Sequence, residues 1–150
     1  MIELLAPVVL LANGLAAGVL AGAVLGGLPL LLTLPVDRYV HAHGFFGTRY
    51  DPFMPICLVV TLLGDLVLTV LAPARAAVPF AVSAVLAAAV VTISLTRNAP
   101  VNRWMASLNP ENLPEDFEDP RPSWSFWHRL RTVFAVVALV SNVVAIGLLI

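Results

Sequence analysis

Four long apolar runs constrain this chain more than any other feature. They fall at about 4–34, 55–71, 78–95 and 133–150. Each is close to the roughly 20 residues a helix needs to cross a bilayer. Backbone polar groups in hydrocarbon must bond within their own element, and unbroken apolar runs do this as helices. The expected fold is therefore all-α, a four-transmembrane-helix antiparallel bundle. It forms one integral membrane domain over 1–150, with helices near 4–34, 55–71, 78–95 and 125–150. Composition agrees. Of 150 residues, 60% are hydrophobic and only 11% charged, too few charges to cover a soluble domain. The first run begins with Glu3, lacks a basic leader and is too long for a signal-peptide core, so it reads as a retained helix. Cys57 is the single cysteine, which excludes an intramolecular disulfide. No basic patch is present to bind nucleic acid.

The third run ends in Thr96-Arg97-Asn98-Ala99-Pro100-Val101-Asn102-Arg103-Trp104. Asn98 and Asn102 are four apart and share a helical face. Pro100 lacks an N–H and clashes with the preceding turn, so a break is expected here, with the polar side chains turned toward the bundle. The linker that follows carries five acids within 111–119 among several prolines, and reads as a solvated, extended connection. Trp124, Trp127, Arg129 and Arg131 then resemble interfacial anchors at the start of the last helix.

Other features are distributed along the chain. Gly14, Gly18, Gly22 and Gly26 repeat every fourth residue, giving a face where a helix can approach closely. Packing within the bundle is the preferred reading; a homodimer through the same glycines is the alternative. The first loop, about 35–55, holds Asp37, Tyr39, His41, His43 and Asp51. His41 and His43 share a face only if this loop is extended. Asp65 lies in the middle of the second run, where a carboxyl is costly and marks either a functional group or a packing lock. Asn13 and Asn142 are further intramembrane polar groups. All eight basic residues are Arg, and seven lie on the side of the first and third loops. The positive-inside rule places those loops in the cytoplasm and both termini outside, with a bacterial plasma membrane as the expected compartment.

The segment Arg97-Asn-Ala-Pro-Val-Asn-Arg103, followed by Trp124…Trp127-His128-Arg129-x-Arg131, resembles the small four-helix membrane proteins that include the fungal anthrone oxygenases. The resemblance implies oxidation of a polyketide anthrone to an anthraquinone without an evident organic cofactor. Asn98, Asn102, His128 and Arg131 are the positions it carries over. On this reading His128 is the base, and Asn98, Asn102 and an Arg are donors to the developing oxyanion. Arg103, Trp104, Trp127, Tyr39 and Asp65 are candidates to bind a hydrophobic small-molecule substrate. No metal or cofactor is expected.

Two other readings stand beside this one. A copper- or iron-dependent membrane oxidase would use His41, His43 and His128 as ligands. A non-enzymatic membrane subunit or small transporter would use Asp65 as its ion-linked group. Motifs for phosphate, dinucleotide or zinc binding are absent from the sequence.

Overall fold

The computed structural model describes residues 1–149. Among them every regular element is helical: α1 (Ile2–Gly22), α2 (Leu28–Thr33), α3 (Val36–Arg49), α4 (Phe53–Leu71), α5 (Ala74–Ile93), α6 (Ala99–Ser107) and α7 (Arg121–Gly147). Two wide π-turns, Ala23–Gly27 and Ser94–Asn98, join α1 to α2 and α5 to α6. The result is four spans, Ile2–Thr33, Phe53–Leu71, Ala74–Ser107 and Arg121–Gly147, each long and apolar enough to cross a membrane. The chain is an integral membrane protein. Its spans alternate in direction. The start of α1, the end of α7 and the tight Pro73 turn lie at one end; α3, α6 and the 108–120 segment lie at the other.

Three expected boundaries are corrected. The first loop is largely the helix α3. Residues 97–107 are helical rather than part of a loop, and the last helix begins at Arg121. Its expected end at Ile150 lies outside the described residues. Pro100 does not break its span. The N–H of Ala99 reaches back five residues to the Ser94 carbonyl, and the N–H of Leu28, just before Pro29, does the same to Ala23. A proline ring collides with the carbonyl four residues earlier. An inserted residue in the turn before each proline shifts that carbonyl aside, so the span continues through a π-turn.

Packing follows small residues, though not the glycine stripe. The buried face of α1 is Ala6, Val9, Ala12, Asn13, Ala16, Ala17 and Leu20. Gly18, Gly22 and Gly26 are exposed, and a Cβ built on any of them would meet nothing within 4 Å. The expected burial of this stripe within the bundle is thus overturned: alanines one face round already permit the close approach. The tightest glycine contact within the spans is at Gly64 in α4, where a Cβ would overlap the Cγ2 methyl of Val9. The linker also departs from a free solvated chain. Its acids are exposed, but Phe117 stacks on Trp104 at 5.6 Å. Arg121 pairs with Asp119 at 2.5 Å, donates to the Leu34 carbonyl at 2.7 Å and lies over the Tyr39 ring. The start of α7 is thereby tied to the α2–α3 junction.

Asp65 is fully buried in the bundle. Its Oδ2 accepts from Ser83 Oγ at 2.6 Å and Asn142 Nδ2 at 3.3 Å, which joins α4, α5 and α7 at one point. Overpacking a tight helix contact typically costs about 1–3 kcal/mol. Gly64→Ala is therefore expected to lower the thermal midpoint of the detergent-solubilised protein, while Gly18→Leu leaves it near wild type. The reverse ranking in a thermal-shift measurement would refute this packing.

Candidate active site

A cavity of about 710 Å³ opens at the end of the bundle that carries α3 and α6. That volume lies within the range typical of small-molecule sites. Both π-turns form part of its wall, through Ala23, Gly26 and Gly27 on one side and Ser94 and Leu95 on the other. Gly22 lines it too, so the lower half of the glycine stripe is open space in a cavity wall. Most of the lining is apolar. Its polar members include His43, Asp51, Asn102, Arg103, His128 and Arg131.

The deep end is built from α7. His128 and Arg131, three apart, share a face of that helix, and both are buried. Arg131 donates to His128 Nδ1 from Nε at 3.3 Å and Nη2 at 2.8 Å, and to Ser94 Oγ from Nη1 at 2.9 Å. Guanidinium carries donors only. Nδ1 must therefore be the acceptor, and the neutral imidazole carries its proton on Nε2. That nitrogen is buried and has no hydrogen-bond partner among the described residues; the Leu20 carbonyl comes near the ring without completing a bond. The expected role of His128 as a base does not fit this arrangement, because its only lone pair is already engaged. What it offers is an N–H. Arg131 has no acidic partner among the described residues.

A second chain of bonds holds the wall beside it. Trp124 Nε1 donates to Asn102 Oδ1 at 2.9 Å. Indole N–H is donor-only, which fixes that amide atom as the oxygen. His43 Nε2 lies 3.0 Å from the same oxygen and so donates to it. His43 Nδ1 then accepts from the Tyr39 hydroxyl at 2.9 Å. Burial holds the His43 imidazole below its ordinary pKa, the Asn102 hydrogen bond opposing this. Burial also raises the Tyr39 phenol, with the Asp119 charge adding to the effect and Arg121 opposing it. Both keep the neutral form that this chain requires. The Trp124 ring lies between His43 (4.6 Å, edge-on) and His128 (4.8 Å, stacked). It is a buried wall of the site, not the interfacial anchor expected from the sequence.

The sequence candidates therefore separate. Asn102, Arg103, His128 and Arg131 line the cavity; Asn98, Trp104, Trp127, Tyr39 and Asp65 do not. Asn98 is buried in the second π-turn, where Nδ2 donates to the Trp124 carbonyl at 3.3 Å, so it positions α7. Trp104 stacks on Phe117, and Trp127 packs under Arg97. Tyr39 supports His43 from behind. The alternative metal set does not assemble. His41 and His43 are two apart on a helix and point to opposite sides; His41 is exposed. Among the described residues no three His, Cys, Asp or Glu side chains gather closely enough to hold an ion. Close helix contact lets α3 approach: a Cβ on Gly44 or Gly47 would press on α6 at 3.3 Å from Ala106 and 3.2 Å from Asn102. Trp124, Ser94 and Asp51 also line the cavity, and the sequence alone did not single them out as site candidates. Only a helix through 36–49, which the Tyr39/His43 spacing of four permits, would have brought His43 to the site.

Fold and cavity together define a four-span membrane protein with an apolar chamber and a polar, donor-rich floor. A family model described as anthrone oxygenase matches residues 43–141, well over half of the chain. The chain belongs to the anthrone oxygenase family. The match contains every polar cavity residue named above. No curated protein and no solved structure matches the chain.

The His43 bonds give a pH prediction. Its folded-state pKa lies below the unfolded value of about 6.5. Below that value the unfolded chain takes up the proton more readily, so the stability His43 contributes is present above about pH 6.5 and is lost as pH falls. The gap in thermal midpoint between wild type and His43→Gln should narrow from pH 7 to pH 5. A gap that widens would contradict a neutral His43.

Proposed function

We propose that this protein is a membrane oxygenase that converts a hydroxylated, anthrone-like aromatic into the corresponding quinone with dioxygen. The observation that carries the reading is Arg131: a buried guanidinium with no acid partner among the described residues, bonded to an imidazole whose other N–H is unbonded among them, at the floor of an apolar cavity. A buried cation without a counter-charge is costly, and an oxygen that gains negative charge during reaction is the ligand that offsets it. Removing a proton from the methylene carbon of an anthrone moves the electron pair onto the carbonyl oxygen opposite. Arg131 and His128 Nε2–H are suited to hold that oxyanion. The carbanion form then adds dioxygen at the methylene carbon. Loss of water from the hydroperoxide leaves the quinone carbonyl, so one anthrone and one dioxygen give one quinone and one water.

Substrate access from the bilayer accords with the cavity rim, where Leu30, Val59 and Leu95 are exposed apolar side chains. No metal or organic cofactor is required by this chemistry, because the electron-rich anion is itself the reductant of dioxygen. The cavity end is proposed to face the cytoplasm of a bacterial plasma membrane, supported by the seven Arg gathered there against Arg75 at the other end.

The test is turnover of a hydroxylated anthrone by the purified protein in lipid nanodiscs, followed by quinone absorbance and oxygen uptake. Extensive chelation should leave the rate intact. Loss of one oxyanion donor typically costs about a hundredfold or more, so His128→Phe and Arg131→Met should each fall by that order while remaining monodisperse. Wild-type rates in both variants would exclude the oxyanion floor. For orientation, a cysteine at Asn112 should react with impermeant reagent only from the cytoplasmic side, and one at Arg75 only from outside, in cells carrying a Cys57→Ser background. Labelling of both from one side would reject the topology.

A further inference from the structure

We propose that Asp51 is the proton acceptor of this cavity, a catalytic residue for carbon deprotonation; the substrate class rests on the oxygenase reading above. The floor cannot supply a base. The free lone pair of His128 is taken by Arg131, and that of His43 by the Tyr39 hydroxyl. Arginine does not deprotonate under these conditions. Among the described lining residues Asp51 is the only carboxylate. Its carboxyl oxygens take part in no hydrogen bond and no ion pair among the described residues, so both remain available to a ligand.

Position supports the assignment. Asp51 lies in the exposed turn between α3 and α4, at the mouth of the cavity, while His128 and Arg131 are buried at its floor. In an anthrone the acidic methylene carbon and the oxygen that receives the charge lie on opposite edges of the central ring. A ring with its oxygen on the floor turns its methylene toward the mouth. A carboxylate is a weak base toward carbon acids, yet it suffices where strong donors hold the oxyanion formed.

The proton inventory closes on this one group. The Asp51 carboxylate takes a methylene proton, and the C–H electron pair passes through the ring to the floor oxygen. Dioxygen is reduced as a C–O bond forms at that carbon, giving a peroxide anion, to which Asp51 returns the proton. Asp51 then removes the second hydrogen of the same carbon as the O–O bond breaks. The departing hydroxide takes that proton from Asp51 and leaves as water.

Deprotonation can be read without oxidation. The purified full chain in nanodiscs is mixed anaerobically with an anthrone deuterated at the methylene carbon, and wash-out of deuterium into water is followed by mass spectrometry; oxygen uptake is measured in parallel. General-base loss typically costs about a hundredfold or more, so Asp51→Asn should slow wash-out by that order, Asp51→Glu should recover part of it, and Asp37→Asn, an exposed acid outside the cavity, should exchange like wild type. Wash-out by Asp51→Asn at the wild-type rate, with oxidation intact in wild type, overturns Asp51 as base and leaves the oxygenase reading standing. Asp51-dependent wash-out with no oxygen uptake in wild type supports the base and overturns the oxygenase reading. Absence of both in wild type overturns the two together.

Discussion

A guanidinium buried among membrane helices without a carboxylate to neutralise it is the constraint on which the site depends. Arg131 is 6% exposed, and among the described residues its hydrogen bonds go to an imidazole nitrogen and a serine hydroxyl. Neither removes its charge. The consequence spreads outward, because a donor-only group dictates the tautomer of whatever it touches. Nδ1 of His128 must accept, Nε2 must carry hydrogen, and the floor of the cavity becomes a set of donors. The same logic works through Trp124: its donor-only indole fixes the Asn102 amide, which fixes His43, which fixes the direction of the Tyr39 hydroxyl. Two obligate donors, Arg131 and Trp124, therefore order the bonding of four other side chains, His128, Asn102, His43 and Tyr39.

Such a floor needs a chamber above it, and the two π-turns provide one. Each ends two residues before a proline, at Pro29 and Pro100. Each widens its span where the walls must part. Glycine at 22, 26 and 27 keeps the opposing wall bare. The closed half of the bundle is organised differently. There Asp65, Ser83 and Asn142 bond three helices, and Val9 fits against Gly64. Rigid packing at one end and a prised-open bundle at the other divide structural from chemical duties along a single set of helices.

The assignment to the anthrone oxygenase family, made on residues 43–141, gives this division a chemical meaning. An apolar chamber reached past exposed Leu30, Val59 and Leu95 suits a flat hydrophobic ring system, and a donor-rich floor suits an oxygen gaining charge. On the mechanism proposed above, the carboxylate at the mouth, opposite that floor, would complete a proton circuit with few parts. On that proposal the protein would contribute orientation, charge and exclusion of water, and the reducing electrons would come from the substrate itself.

The membrane class, the four spans and their alternation follow from hydropathy alone, because hydrocarbon leaves a backbone few alternatives. Asn102, His128 and Arg131 were also legible, since polar groups at apolar helix ends are conspicuous and a spacing of three on one helix fixes a shared face. Other features were not local. The glycine repeat satisfied the spacing rule for close helix contact, but whether a neighbour occupies that face is decided by the other three helices, and at Gly18, Gly22 and Gly26 none does. Trp124 and Trp127 are alike as sequence; three residues of helix put one against His43 and the other under Arg97. Residues 36–49 carry enough polarity to read as loop, and only packing of Gly44 and Gly47 against α6 shows what that helix is for. Sequence determined which groups are available at this end of the membrane. Tertiary structure decided which of them accept, which donate and which face the cavity, because hydrogen-bond direction depends on partners brought together from distant parts of the chain.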